Sequence, residues 1–205
     1  MIRQYAFFFD SSACTGCKAC QAACKDHNSL EVGRLWRRVY EVVGGGWSRA
    51  GEAWFSDVFA YNLSISCNHC QRPICMEVCP AKAISKRADG IVLIDVRRCI
   101  GCKYCSWACP YGAPQYDESS GVMTKCDFCV GRLEAGLPPA CVAACPLRAL
   151  DYGDFSEMQM RDGAQSQVPP LPGPDLTRPS LVIRPHRAAQ QAEKKRAHIA
   201  NREEV

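Results

Sequence analysis

Cys99-Ile-Gly-Cys102-Lys-Tyr-Cys105-Ser-Trp-Ala-Cys109-Pro110 decides how the rest of this chain is read. Its first three thiols are spaced to wrap one face of a compact inorganic core, while the fourth, four residues further on, points away along a helix and must serve a different one. Working outward, the pattern returns three times. Cys14-x2-Cys17-x2-Cys20-x3-Cys24 and Cys67-x2-Cys70-x4-Cys75-x3-Cys79 precede it, and Cys126-x2-Cys129-x11-Cys141-x3-Cys145 follows. These groups use all sixteen cysteines. Proline comes directly after Cys79, Cys109 and Cys145, whereas Lys25 follows Cys24. Such spacing, with a Cys-Pro close, is that of four-iron cubane ligation.

Other chemistries fit less well. Zinc takes paired Cys-x2-Cys units, which the fourth group resembles in isolation, but three tightly spaced cysteines with a Cys-Pro close do not suit a tetrahedral ion. Disulfides call for an oxidising compartment and an export signal, and the start Met1-Ile-Arg-Gln-Tyr5 shows no basic region followed by an apolar stretch. No Cys-x2-Cys-His for covalent haem occurs. Of His27, His69, His186 and His198, only His69 stands beside a ligand; it either tunes a cluster by hydrogen bonding or is a loop residue satisfied locally. No paired carboxylates, nucleophile triad or phosphate loop stands out, so no catalytic residue is assigned.

The 205 residues carry a formal charge of +4. An oxidised cubane with its four thiolates adds roughly −2, so four of them bring the loaded chain to roughly −4. That argues against a nucleic-acid partner. Lys18, Lys25, Arg97, Arg98, Lys103 and Lys125, all beside the cysteines, are read as offsetting cluster charge or as plain solvated residues. The longest uncharged stretch, Val58 to Gln71, is too short and too polar to span a membrane. With its core built round metal, the apo chain is not expected to fold stably.

The closing segments Cys79-Pro-Ala-Lys-Ala-Ile84, Cys109-Pro-Tyr-Gly-Ala-Pro114 and Cys145-Pro-Leu-Arg-Ala-Leu150 are variants of one repeated element. Cys79 and Cys99 are as close as in compact two-cluster ferredoxins, so the second and third groups are expected to form one unit and the first and fourth, by elimination, another. Swapping the closing cysteines within each unit gives four sets: Cys14, Cys17, Cys20 with Cys145; Cys24 with Cys126, Cys129, Cys141; Cys67, Cys70, Cys75 with Cys109; and Cys79 with Cys99, Cys102, Cys105. The expected fold is α+β. Residues 1–29 with 110–160 and residues 67–109 make two ferredoxin-like units, each holding two [4Fe–4S] clusters. Residues 30–66 form a β-hairpin insertion turning at Gly44-Gly45-Gly46, with Trp36, Trp47, Trp54 and Phe55 expected to pack over the core, the alternative being a partner-binding face. Residues 161–205, proline-rich and then charged, are expected as an extended tail docked on a partner.

Several longer stretches carry a family likeness: Tyr5-Ala-Phe-Phe-Phe-Asp10, Val58-Phe-Ala-Tyr-Asn-Leu-Ser-Ile-Ser-Cys67, Ala108-Cys-Pro-Tyr-Gly-Ala-Pro-Gln-Tyr116 and Met123-Thr-Lys-Cys-Asp127. With the cysteine groups they resemble the four-cluster ferredoxin subunits of molybdenum oxidoreductases, and among these the iron–sulfur subunits of anaerobic dimethyl sulfoxide reductases. The likeness is loose only over Leu30 to Ala53 and the tail. It implies a complex in which a membrane anchor oxidises menaquinol, this chain relays electrons, and a molybdopterin subunit reduces the terminal acceptor. It also implies the same cysteine sets, with the third group's cluster nearest the membrane and the first group's nearest the catalytic subunit. Relatives with tryptophan at the second position of the third group hold a three-iron cluster; Cys102 here implies four [4Fe–4S] clusters. The implied location is the periplasmic face of the cytoplasmic membrane, by co-export with a twin-arginine partner, or else the cytoplasmic face. Relays for polysulfide, thiosulfate, tetrathionate or selenate reduction remain open, as does a stand-alone polyferredoxin.

Overall fold

Tyr5–Asp10 (β1) is apolar on both faces, and it lies between two other strands. Ala6 and Phe8 pack on Met158 and Val182, while Phe7 and Phe9 face the main core. A strand buried on both sides needs such a continuous apolar run. The computed structural model describes residues 4–195 and 197–205; Met1 to Arg3, at the start read as lacking an export leader, and Arg196 of the charged run lie outside these.

In chain order the elements after β1 are Ala19–His27 (α1), Arg38–Gly44 (β2), Trp47–Ala50 (β3), Ala53–Ser56 (β4), Phe59–Ile65 (β5), Ile74–Glu77 (α2), Ile84–Lys86 (β6), Val92–Ile94 (β7) and Tyr104–Ala108 (α3). Then come Gln115–Asp117 (β8), Val122–Thr124 (β9), Val130–Glu134 (α4), Ala140–Ala143 (α5), Leu150–Asp154 (β10), Phe155–Gln159 (α6), Leu181–Arg184 (β11), Ala189–Lys194 (α7) and His198–Ile199 (β12). The architecture mixes short helices with small, mostly antiparallel sheets. β1 pairs antiparallel with β10 (Phe7 opposite Tyr152) and parallel with β11 (Phe7 opposite Leu181). β2 pairs with β5 over its whole length, Arg38 opposite Ile65 and Gly44 opposite Phe59, and β12 adds a third strand. Tight hairpins β6–β7 and β8–β9 separate the cysteine groups.

Two expectations change here. Gly44-Gly45-Gly46 does not turn the insertion: Gly44 still pairs with Phe59, and the chain runs on as a second ribbon, β3–β4, whose reversal lies at Gly51-Glu52. The glycines serve a close approach instead, since a Cβ on Gly45 would stand 2.2 Å from the Asp57 carbonyl oxygen. Residues 161–205 are not an extended tail laid on a partner. Leu181-Val-Ile-Arg184 completes the β1 sheet, Val168 and the Ala188, Ala189 and Ala192 side chains enter the core, and Gln71 and Arg72 donate backbone hydrogen bonds to the Arg178 and Thr177 carbonyls at 2.8 and 3.0 Å. A four-residue strand with Val182 and Ile183 at its centre suffices for this, although the surrounding prolines and charges dilute it in the composition.

Candidate metal centres

Each Cys-x2-Cys bends in the same way. The residue before its second cysteine is left-handed in all four groups: Gly16 (φ 73°), His69 (42°), Gly101 (67°) and Phe128 (64°). A left-handed residue there reverses the backbone within the step, and for His69 and Phe128 it costs about 1–2 kcal/mol that the surroundings must offset. Three residues after Cys79, Cys109 and Cys145 the backbone is left-handed again, at Lys82, Gly112 and Arg148. Four stretches of unlike sequence thus share one backbone.

The last two cysteines of every group stand four residues apart on or just past a helix: Cys20 and Cys24 in α1, Cys75 and Cys79 at α2, Cys105 and Cys109 at α3, Cys141 and Cys145 at α5. That spacing puts both thiols on one helix face, about 6 Å apart along the axis. Helices α1 and α5 pack together, as do α2 and α3. One cavity is ringed by Cys14, Cys17, Cys20 and Cys145, with Phe9, Val39, Leu147 and Leu150 in its wall. A second is ringed by Cys67, Cys70, Cys75 and Cys109, and a third by Cys79, Cys99, Cys102 and Cys105. Cys24, Cys126, Cys129 and Cys141 are gathered between α1 and α5, where Cys24 is close enough to feel Cys141 and Cys129, and Cys126 to feel Cys24 and Cys141. Among the described residues, no three His, Cys, Asp or Glu side chains converge as one metal ion requires. The sulfurs surround spaces rather than points.

Burial makes these thiols reluctant acids. It pushes Cys14 up to about 11 and Cys24, Cys70 and Cys75 to about 12, with neighbouring sulfurs adding to the effect. Only a strongly cationic occupant would hold them as thiolates at neutral pH. The surrounding charges fit the thiolates that such an occupant would hold. Arg37, Arg38 and Lys125 are buried, and among the described residues none has an ion-paired carboxylate. Lys125 Nζ donates to the Val92 and Cys126 carbonyls, Arg38 Nη2 donates to the Tyr111 carbonyl at 2.6 Å, and the Nε atoms of both arginines lack a partner. Buried cations without counter-ions are costly. Thiolates and the anionic cluster they bind supply the missing charge.

Hydrogen bonds reach the sulfurs as well. Met123 N–H donates to Cys99 Sγ (3.3 Å), Ala83 N–H to Cys79 Sγ (3.3 Å) and Phe128 N–H to Cys126 Sγ (3.4 Å). Cys70 Sγ lies 3.2 Å from Thr177 Oγ1, and Cys20 Sγ 3.3 Å from Ser64 Oγ. Ser64 and Thr177 carry no motif that would single them out in the sequence. His69 is enclosed, accepts from Val92 N–H at Nδ1 (3.0 Å), and has no partner at Nε2. Burial, then Lys125 and Arg37, hold it well below 6.5 and hence neutral.

The basic residues flanking the cysteines divide. Lys125 is enclosed, but Lys18 pairs with Glu204 and Glu41, Arg97 with Asp95, and Lys103 lies 4.0 Å over the Tyr116 ring. The aromatics of the insertion divide too. Trp36 is half-buried and donates to Thr124 Oγ1, whereas Trp47, Trp54 and Phe55 stand exposed on β3–β4 instead of packing over the core, because that ribbon projects beyond the β2–β5 pair. Beside the third cysteine group, Ile100, Tyr104 and Trp107 are also exposed. Among the described residues no helix is long and apolar enough to cross a membrane.

A family profile described as a 4Fe-4S dicluster domain matches residues 58–155. The chain is 50% identical to the B component of the anaerobic dimethyl sulfoxide reductase of Escherichia coli K12 and 47% identical to its counterpart in Haemophilus influenzae, each over 205 residues and the full length of both proteins. It is 40% identical over 160 residues to the B component of the tetrathionate reductase of Salmonella typhimurium, covering 77% of this chain and 61% of that one.

Proposed function

Because the chain belongs to the family of anaerobic dimethyl sulfoxide reductase B components, we propose that it is the electron-transfer subunit of such a reductase, holding four [4Fe–4S] clusters. Cys14, Cys17, Cys20 and Cys145 would hold the first; Cys24, Cys126, Cys129 and Cys141 the second; Cys67, Cys70, Cys75 and Cys109 the third; Cys79, Cys99, Cys102 and Cys105 the fourth. The observation that carries this is the ringing of single cavities by four cysteines drawn from two different groups. Once bound, each cluster supplies a one-electron carrier whose potential follows from its charge, hydrogen bonds and exposure.

The chain's own part is to space and insulate. Residues 1–29 with 110–160 would form one ferredoxin-like unit and residues 67–109 the other. Cys20 feels Cys141, Cys126 feels Cys67, and α2 with α3 joins the third set to the fourth. These proximities favour the order first, second, third, fourth. Exposed Ile100, Tyr104 and Trp107 at the fourth set favour docking of a quinol-oxidising membrane anchor there, leaving the first set for a molybdopterin catalytic subunit. The complex would sit on the cytoplasmic membrane, with this chain peripheral to it on the periplasmic face.

Metal analysis and EPR of the complex purified from membranes test the reading. About sixteen iron atoms per chain, in four-iron clusters alone, are expected. A stoichiometric three-iron signal in the oxidised sample, or half the iron, would overturn it. The identity of the copurified catalytic subunit tests the assigned acceptor.

A further inference from the structure

Arg37 is fully enclosed just before β2, its relative exposure only 2%. Its side chain finds neutral partners alone: Nη1 donates to the Ser64 carbonyl (3.3 Å) and Oγ (3.2 Å), and Nη2 to Ser66 Oγ (2.9 Å). The guanidinium lies 4.5 Å over the Phe7 ring, and Nε has no partner. Nothing in this neutral shell balances its charge. Two cysteine sets do. Ser64 Oγ, bonded to Arg37, is also 3.3 Å from Cys20 Sγ of the first set, and the Arg37 charge is close enough to act on Cys24 of the second. Phe7, beneath the guanidinium, stacks at 4.1 Å on Phe128, whose N–H donates to Cys126 Sγ of the second set.

We propose that Arg37 is the shared counter-charge of the first and second clusters, raising both reduction potentials above what their buried thiolates would set alone. The proposal rests on the ligand sets given above. A fixed cation in a dry interior favours the reduced, more negative form of any cluster within a few ångströms, and protein of low dielectric transmits the effect weakly screened. One residue placed between two clusters moves both in the same direction. It therefore shifts their common level while leaving the step between them nearly unchanged, and with it the electron flow from one to the other. No sulfur of the third or fourth set is among these contacts, and the third is approached only through Ser66, which precedes Cys67.

The test uses the purified complex, with midpoint potentials followed by EPR during redox titration. Arg37→Met and Arg37→Gln remove the charge; Arg37→Lys keeps it. Two of the four potentials are expected to fall in both neutral variants by a tenfold shift in the reduction equilibrium, about 59 mV for one electron, with the other two unmoved. Arg37→Lys is expected to restore both. If the neutral variants lose the same two clusters on purification while Arg37→Lys keeps all four, the charge role also stands. Equal losses in all three variants would make Arg37 a structural residue and overturn the proposal, as would four unmoved potentials or a uniform shift of all four. Cys20→Ser and Cys24→Ser separate this from the ligand reading: they should alter two different clusters, and alteration of one and the same cluster would sink the ligand sets rather than Arg37.

Discussion

The Asp10 carboxylate receives the Arg184 guanidinium at 2.9 Å, a contact that closes 174 residues of chain. The other oxygen of Asp10 accepts from the Ser12 and Ala13 N–H groups at 2.9 and 3.3 Å, so one side chain both starts the first cysteine loop and holds β11 in place. Burial pushes Asp10 up, but the Ser12 hydrogen bonds and Arg184 outweigh this and hold it below 3.8. A depressed carboxylate contributes stability above its unfolded pKa of 3.8, lost as pH falls through the lower folded value. Asp10→Asn at pH 7 should reproduce that loss without acid, by about 1 kcal/mol. Residues 161–184 should then be cleaved by protease roughly fivefold faster. Equal cleavage rates in parent and variant would refute the tie.

Gly101 and Gly16 occupy equivalent places in two cysteine loops, yet replacement should not affect them equally. Both have positive φ, so alanine costs about 1–2 kcal/mol of strain at either. At Gly101 the new Cβ would also meet the Gly121 carbonyl oxygen at 2.3 Å, whereas at Gly16 it meets the movable Asn62 side chain at 2.6 Å. Gly101→Ala should deplete the fourth cluster's EPR signal, and Gly16→Ala should leave the first largely intact. Equal retention would count against the close approach.

Lys125, with only carbonyls for partners, should be expensive to lose once anionic clusters are in place. Lys125→Met is expected to cost the loaded protein about 3 kcal/mol, the range for removing one partner of a buried charge pair. In a chain of this size that lowers the unfolding midpoint by roughly 6–12 °C. A fall of less than about 2 °C would mean the cation is compensated elsewhere.

Removal of iron should unfold the chain rather than empty it. Cys20, Cys67, Cys126 and Cys141 stand in the main core beside Phe7, Leu63 and Ile183, so cavities lined by protonated thiols would replace metal at its centre. Circular dichroism after chelation should lose most of its helical signal, recovering only with iron, sulfide and reductant together. A native spectrum in the stripped chain would refute this.

What the sequence discloses follows from how local each constraint is. Ligand spacing is local, so the four cysteine groups stand out without any structure. Arg37 and Arg38 do not, because arginine is ordinarily exposed and only the packing of this segment against β5, Phe7 and Tyr111 shows what surrounds them. Their one signal is position: two consecutive cations stand at the entry to a strand whose Val39 and Val42 are buried, so at least one must turn inward. Gly44-Gly45-Gly46 misleads for a related reason. Glycine marks a tight turn and a close backbone approach alike, and only Asp57 across the ribbon distinguishes them. Leu181 to Ile183 is lost among prolines because strand pairing depends on a partner near the other end of the chain.

That last pairing has a consequence in time. β1 is made before either of its two neighbours, β10 and β11. At synthesis rates of roughly 5–20 residues per second, β1 waits on the order of 10–30 s for its parallel partner. Through that interval Cys14, Cys17 and Cys20 are already exposed while Cys145, which completes their ring, does not yet exist. The order of manufacture thus leaves the first cysteine set incomplete until Cys145 has been made, long after its other three members.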